Sequence, residues 1–204
     1  MLIQLLKLNN QILISTLAKS FINVRNSTQL IAGKSDELYY ANDTHVVTSF
    51  VKYGLPQFDA LLDYLQPLVE SVTGKELWPT YSYARIYYPN SELAYHTDRY
   101  SCEYSMTLTL QSDSVHWPIW LLDRQGTNKE VILPVGTGCI YAGIELPHWR
   151  SRFAGTQHIQ VFLHYVDKNG KQFVEDIPIL GIQHQIIRTL FEYCYMNLSI
   201  TDIK

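Results

Sequence analysis

His96 and Asp98 stand on either side of Thr97, and a second histidine, His148, follows in the segment Leu146-Pro147-His148-Trp149-Arg150. Two imidazoles and one carboxylate can occupy one face of a divalent iron and leave the opposite face open to a co-substrate and oxygen. That donor set suits a reaction centre better than a structural plug. In a β-strand, side chains alternate between faces, so His96 and Asp98 would point the same way and grip one metal while Thr97 points away. His148 must then come from a different strand, because a single helix cannot span the gap. A lone His-x-Asp triplet arises by chance in many chains, so its setting decides its weight. His158 and His164 lie downstream and compete with His148 for the third position.

The setting is Tyr83-Ala84-Arg85-Ile86-Tyr87-Tyr88-Pro89-Asn90, then Leu93-Ala94-Tyr95-His96-Thr97-Asp98-Arg99, then the strand-like Ser105-Met106-Thr107-Leu108-Thr109-Leu110. Gly136-Thr137-Gly138-Cys139-Ile140-Tyr141-Ala142-Gly143, His148 and the run from His158 to Val166 complete it. In order and spacing these segments resemble the 2-oxoglutarate/Fe(II)-dependent dioxygenases, most nearly their prolyl-4-hydroxylase-like branch, over residues 78–168. The resemblance implies a double-stranded β-helix, or jelly roll, with His96, Asp98 and His148 as metal ligands. It also implies Fe(II), 2-oxoglutarate and O2 as cofactor and co-substrates, and hydroxylation or a related oxidation with release of succinate and CO2. Family members that halogenate lack the carboxylate, so Asp98 favours hydroxylation.

One position departs from the family pattern. There, a late strand about ten residues after the distal histidine carries an Arg or Lys that pairs with the far carboxylate of 2-oxoglutarate. Counted from His148, that position holds His158. Taking His158 as the ligand instead would leave Lys168 for the role, and Lys168 falls in the turn Asp167-Lys168-Asn169-Gly170, so His148 is the better choice. Candidates for the carboxylate anchor are His158, either protonated or as a neutral donor, together with Arg150 and Arg152. By resemblance, Tyr88 would donate its hydroxyl to the same carboxylate. Alternation places His158, Gln160, Phe162 and His164 on one strand face.

The elements that must position these residues fall into three parts of one expected domain, residues 1–204. Residues 1–77 look like a mixed, largely helical support: Phe58, Leu61, Leu62, Leu65 and Val69 form an apolar stripe at helical spacing over 56–72. Pro67 lies inside that window and is expected to kink or split the helix. Residues 78–168 are strand-rich and punctuated by turn residues, as a β-sandwich or barrel requires. Residues 169–204 read as a C-terminal extension, helical over 177–204, where Ile182, Ile186, Ile187, Leu190 and Phe191 supply an apolar side. The residues alone give an α+β protein with helices flanking a double-layered antiparallel core; the resemblance makes that core jelly-roll or cupin-like.

Composition sets outer bounds. With 204 residues, 47% of them hydrophobic, the chain can bury one substantial core. A formal charge of −3 gives no basic surplus to draw nucleic acid. Cys102, Cys139 and Cys194 are widely spaced, which indicates neither a disulfide framework nor a zinc-thiolate site and fits a reducing cytoplasm. The apolar run near the N-terminus is broken by Lys7, Asn9, Asn10 and Gln11, so it reads as folded structure and not as an export signal. No stretch is long and apolar enough to cross a bilayer.

Arg99 and Glu103 follow the metal motif and could meet a substrate or pair with each other. Trp117, Trp120 and Trp149 read as core or pocket wall. The small size of the chain leans toward a small molecule or a short exposed peptide as substrate. An alternative from another class is a cupin-like metal-binding or sensing protein without 2-oxoglutarate turnover, with His158 marking the lost anchor.

Overall fold

The computed structural model describes residues 3–32, 46, 48–113, 115–170 and 200–203. Strand β1 (Ile3–Leu8), helix α1 (Gln11–Ala32), strand β2 (Ser49–Tyr53) and helix α2 (Pro56–Thr73) come first. Then follow β3 (Leu77–Tyr87), β4 (Leu93–His96), β5 (Tyr104–Ser112), β6 (Ile119–Leu122), β7 (Asn128–Val131) and β8 (Thr137–Tyr141). β9 (His148–Arg150), β10 (His158–Asp167) and β11 (Ile200–Ile203) end the series. They form a larger sheet in the order β11-β1-β8-β5-β10-β3-β2 and a smaller one in the order β4-β9-β6-β7. From β3 to β10 the chain alternates between the two sheets, apart from the β6–β7 hairpin within the smaller one. Every pairing is antiparallel, so the two layers wind into a double-stranded β-helix.

The larger sheet is covered on both faces, and its strands show it. Every residue of β10 is buried. Ile159, Val161, Leu163 and Tyr165 join the core beneath the helices, with Leu13, Ile14, Leu17 and Phe21 of α1 and Leu61, Leu65 and Val69 of α2. The alternate residues His158, Gln160, Phe162 and His164 face inward, between the sheets. Phe21 anchors the helix layer, with its ring 5.6 Å from both Phe50 and Phe58. Removing such a ring costs about 3–5 kcal/mol. Two polar ties fasten α2 to the sheet: the Ser82 hydroxyl donates to buried Asp59 at 2.6 Å, and the Tyr165 hydroxyl donates to the Leu62 carbonyl at 2.7 Å.

Pro67 does not split α2, which runs unbroken from Pro56 to Thr73 and ends on Gly74 in the left-handed region, φ 67°. The proline sits on the exposed side, where water can replace the backbone hydrogen bond it removes. The β structure also begins earlier than the expected boundary at residue 78. β1 lies between β8 and β11, and β2 forms the edge beside β3, so residues before 77 supply strands as well as helices. Leu6 and Leu8 of β1 pack under the helices, while Ile3 and Leu5 pack against Ile119, Leu121 and Tyr141 between the layers. A strand covered on both faces carries a continuous apolar run without clear alternation. At the far end, Ile200–Ile203 are strand where helix was expected. The rest of the expected C-terminal helix, in 171–199, lies outside the described residues.

Candidate metal centre

His96 is the last residue of β4 and pairs directly with His148, the first residue of β9. Their ring centroids are 4.3 Å apart. Each ring directs Nδ1 at a carbonyl two residues earlier, His96 at Ala94 (2.8 Å) and His148 at Leu146 (2.9 Å). Facing a carbonyl oxygen, Nδ1 must carry the proton. Both Nε2 lone pairs are therefore left for a ligand bond, with the ring orientations already set.

Asp98 reaches the pair by a different route from the one expected. β4 stops at His96, so strand alternation does not aim the carboxylate. Instead, the Asp98 backbone N–H donates to the Gly143 carbonyl at 3.0 Å and the Ser105 hydroxyl donates to Asp98 Oδ2 at 2.9 Å. This turns Oδ1 toward the histidines, 3.8 Å from His96 Nε2 and 3.6 Å from His148 Nε2. Ligand atoms of the three residues all lie within 4.8 Å of one another. The approach requires glycine at 143, because a Cβ there would overlap the Asp98 carboxylate, the Cys102 carbonyl and the Ser105 hydroxyl. His148 is buried, while His96 and Asp98 are partly exposed, so the centre opens to solvent on their side.

Burial alone would push the Asp98 carboxyl up. The imidazoles of His148 and His164 and the Ser105 hydroxyl outweigh it and hold the group well below the usual carboxylate range. An ionised carboxylate facing two imidazole Nε2 atoms fits a divalent cation of iron type. His164 stands behind Asp98: its Nδ1 lies 2.9 Å from the Ser105 hydroxyl, and it forms a second cluster with Asp98 and Cys102. His148 is thus the histidine that the fold brings to His96 and Asp98, and His158 lies at the other end of the interior.

That other end is organised around Arg150. Two residues beyond His148 on the same strand face, Arg150 is 2% exposed, and its guanidinium donates to the Trp117 carbonyl (2.7 Å) and to Gln160 Oε1 (2.6 Å). It lies 4.4 Å from the Trp117 ring centroid. Burial pushes its pKa down to about 10, which still leaves it charged at neutral pH. Among the described residues no carboxylate lies within ion-pair distance of it. A buried charge without a counter-ion costs several kcal/mol. Close by, Gln160 Nε2 and the hydroxyls of Thr107 and Thr109 are buried and make no hydrogen bond among the described residues, and Thr109 sits directly opposite Gln160.

Two expected anchors behave otherwise. Burial and the neighbouring Arg150 push His158 down to about 3, toward the neutral imidazole, 3.1 Å from Gln160 Oε1. Tyr88 is not among the inward-facing residues. Its ring packs on the helix-side core, with the Arg25 guanidinium 5.7 Å from the ring centroid. Tyr87 is the inward tyrosine, opposite His158, and its hydroxyl accepts from Arg85 at 3.4 Å. Arg152 is exposed. Ser105, Thr107, Thr109 and Arg85 join the interior without having been expected there. The alternation Ser105-Met106-Thr107-Leu108-Thr109-Leu110 held a signal, a polar stripe on a strand whose two faces are both covered.

No protein-family model matches the chain, and no curated protein matches it in sequence. Solved structures match its fold. A Pseudomonas putida prolyl-4-hydroxylase is 16% identical with a TM-score of 0.59, over 78% of this chain and 88% of the other. The non-heme alpha-ketoglutarate-dependent epimerase SnoN from nogalamycin biosynthesis is 11% identical with a TM-score of 0.62, over 88% and 84%. The viral collagen prolyl hydroxylase of Paramecium Bursaria Chlorella virus-1 is 12% identical with a TM-score of 0.53, over 76% and 90%. These likenesses identify the fold as the double-stranded β-helix of the 2-oxoglutarate/Fe(II) oxygenases.

Proposed function

We propose that the chain is an Fe(II)- and 2-oxoglutarate-dependent oxygenase that hydroxylates, or otherwise oxidises, a small molecule or a peptide side chain. The observation that carries this reading is Arg150: a buried, charged guanidinium with no acidic neighbour among the described residues, on the same strand face as His148. His96, Asp98 and His148 would hold the iron. Arg150 would take the far carboxylate of 2-oxoglutarate, with Gln160 Nε2 and the Thr107 and Thr109 hydroxyls as further donors. Fitted so, the diacid supplies hydrogen-bond partners to groups that the protein leaves without them.

When bound, iron and 2-oxoglutarate supply oxygen activation coupled to loss of CO2 and formation of succinate. The chain's own part is positional. Backbone carbonyls fix both imidazole tautomers, Ser105 orients Asp98, and Trp117, Phe153 and Tyr87 close apolar surface around the Arg150 end and keep water from it. Two of the three cysteines, Cys102 and Cys139, are buried free thiols, which suits the cytoplasm.

Anaerobic titration of the apo-protein with Fe(II) and then 2-oxoglutarate tests the proposal. A weak visible charge-transfer band that requires both additions and is lost in His96→Ala is the expected result. Iron binding without the band would support the cupin-like alternative, a metal-binding protein without oxoglutarate turnover.

A further inference from the structure

Resting on that reading, we infer that the substrate is a small organic anion with a flat apolar body, and that Arg99 is the residue that recognises its negative group. Arg99 directly follows Asp98, and among the described residues it does not pair with Glu103. Glu103 instead accepts the backbone N–H of Asp167 at 2.9 Å. The guanidinium of Arg99 is held by two phenols: Nε donates to the Tyr81 hydroxyl at 3.0 Å and Nη2 to the Tyr53 hydroxyl at 3.4 Å. It also lies against both rings, 5.0 and 5.9 Å from their centroids. Burial pushes the Tyr81 phenol up, so it stays neutral and offers no charge to offset the cation. No carboxylate among the described residues lies within ion-pair distance of Arg99. The phenols therefore fix the fork in place and leave N–H donors to spare.

The position is as telling as the pairing. The Tyr81 ring lies 4.7 Å from His164, which is hydrogen-bonded to Ser105, the residue that orients Asp98. The cation thus borders the open side of the metal centre, away from the deep Arg150 end. Between them runs a floor of aromatic faces on neighbouring strands. Tyr53 lies 5.6 Å from Tyr81 and 4.4 Å from Tyr83, and Tyr83 lies 5.6 Å from Phe162. Tyr53 is 56% exposed, so the row reaches the surface. A fixed cation at the end of an aromatic row matches a carboxylate on a planar or ring-shaped body, through a charge-assisted bond at one end and ring contact along the other.

The test uses the full chain, loaded anaerobically with Fe(II) and saturated with 2-oxoglutarate, so that Arg150 is occupied. Phenylacetate and its uncharged amide, phenylacetamide, are the probes, with binding followed by calorimetry. Phenylacetate is expected to bind at least tenfold more tightly than the amide. Arg99→Gln should erase that preference, and Arg99→Lys should restore part of it. Equal affinity for acid and amide, no binding of either, or an undiminished preference in Arg99→Gln would each overturn the inference. So would phenylacetate binding that disappears as 2-oxoglutarate saturates, since the probe would then be using Arg150. The acid–amide comparison in the unaltered protein stands whether or not the variants fold. The charge-transfer band reports the co-substrate reading separately, so a missing band and a missing acid preference identify different failures.

Discussion

The two ends of the space between the sheets are built on opposite plans. At the metal end the chain satisfies its own donors: backbone carbonyls hold both imidazole Nδ1 atoms, and Ser105 holds the spare oxygen of Asp98. At the Arg150 end it buries a cation, two hydroxyls and an amide, and gives several of their polar atoms no partner. A metal demands ligands whose directions are set in advance, because coordination geometry is strict. On the proposed reading, a dicarboxylate would bring its own acceptors, so a site for it can hold donors in reserve.

If the two ends are independent, mutations should separate them. The largest effect is expected from His148→Ala, which removes a ligand and should weaken Fe(II) binding by more than the roughly 100-fold that losing an outer partner can cost. Competition against a coloured chelator measures this, and unchanged affinity would remove His148 from the centre. Next, Arg150→Gln should weaken 2-oxoglutarate by at least about 2 kcal/mol, roughly thirtyfold, and leave Fe(II) affinity in place. If both affinities fell together in anaerobic calorimetry, the contrast between the ends would be lost. Ser105→Ala should act in the opposite sense and cost Fe(II) affinity roughly tenfold by freeing the Asp98 carboxylate.

The smallest effect concerns stability. An unfolded His158 takes up a proton below pH 6.5, while the folded one resists protonation down to about 3. Between those values the unfolded state binds the extra proton, so the fold loses stability as pH falls, by at most about 1.4 kcal/mol per unit from this residue. Urea unfolding at pH 6 and pH 5 should show that slope, and His158→Gln should flatten it. An equal slope in the variant would mean that His158 is not the neutral, buried group described above.

What could be read from the sequence followed the range of each interaction. The cluster of His96, Asp98 and His148 was legible because donor chemistry is a property of residue type, and the strand-rich stretch carrying it shows in composition and turn signals. The placement of Tyr88 was not. Strand register has a period of two, and nothing local says which of Tyr87 and Tyr88 faces inward. Asp98 does come beside His96 and His148, but not by strand alternation: the contacts that aim it come from Gly143 and Ser105, remote in sequence or set by how strands cross. An isolated His158 titrates near neutrality, and the push downward from burial beside Arg150 is a fact of packing that no local signal carries. Arg150 itself was visible as a candidate, but the lack of an acidic neighbour among the described residues is a fact of packing.

The position of β1 has a consequence for how the molecule comes together. Ile3 faces Tyr141 on one side of that strand, and Leu5 faces Ile203 on the other. Neither partner is near it in sequence, so β1 raises the contact order of the whole topology, and chains rich in such distant pairings fold slowly. Until 137–141 are in place, an apolar ribbon with two sticky faces has nothing to cover it. The wall behind His148 is thus built from the pairings most distant in sequence, β1 with β8 and β11.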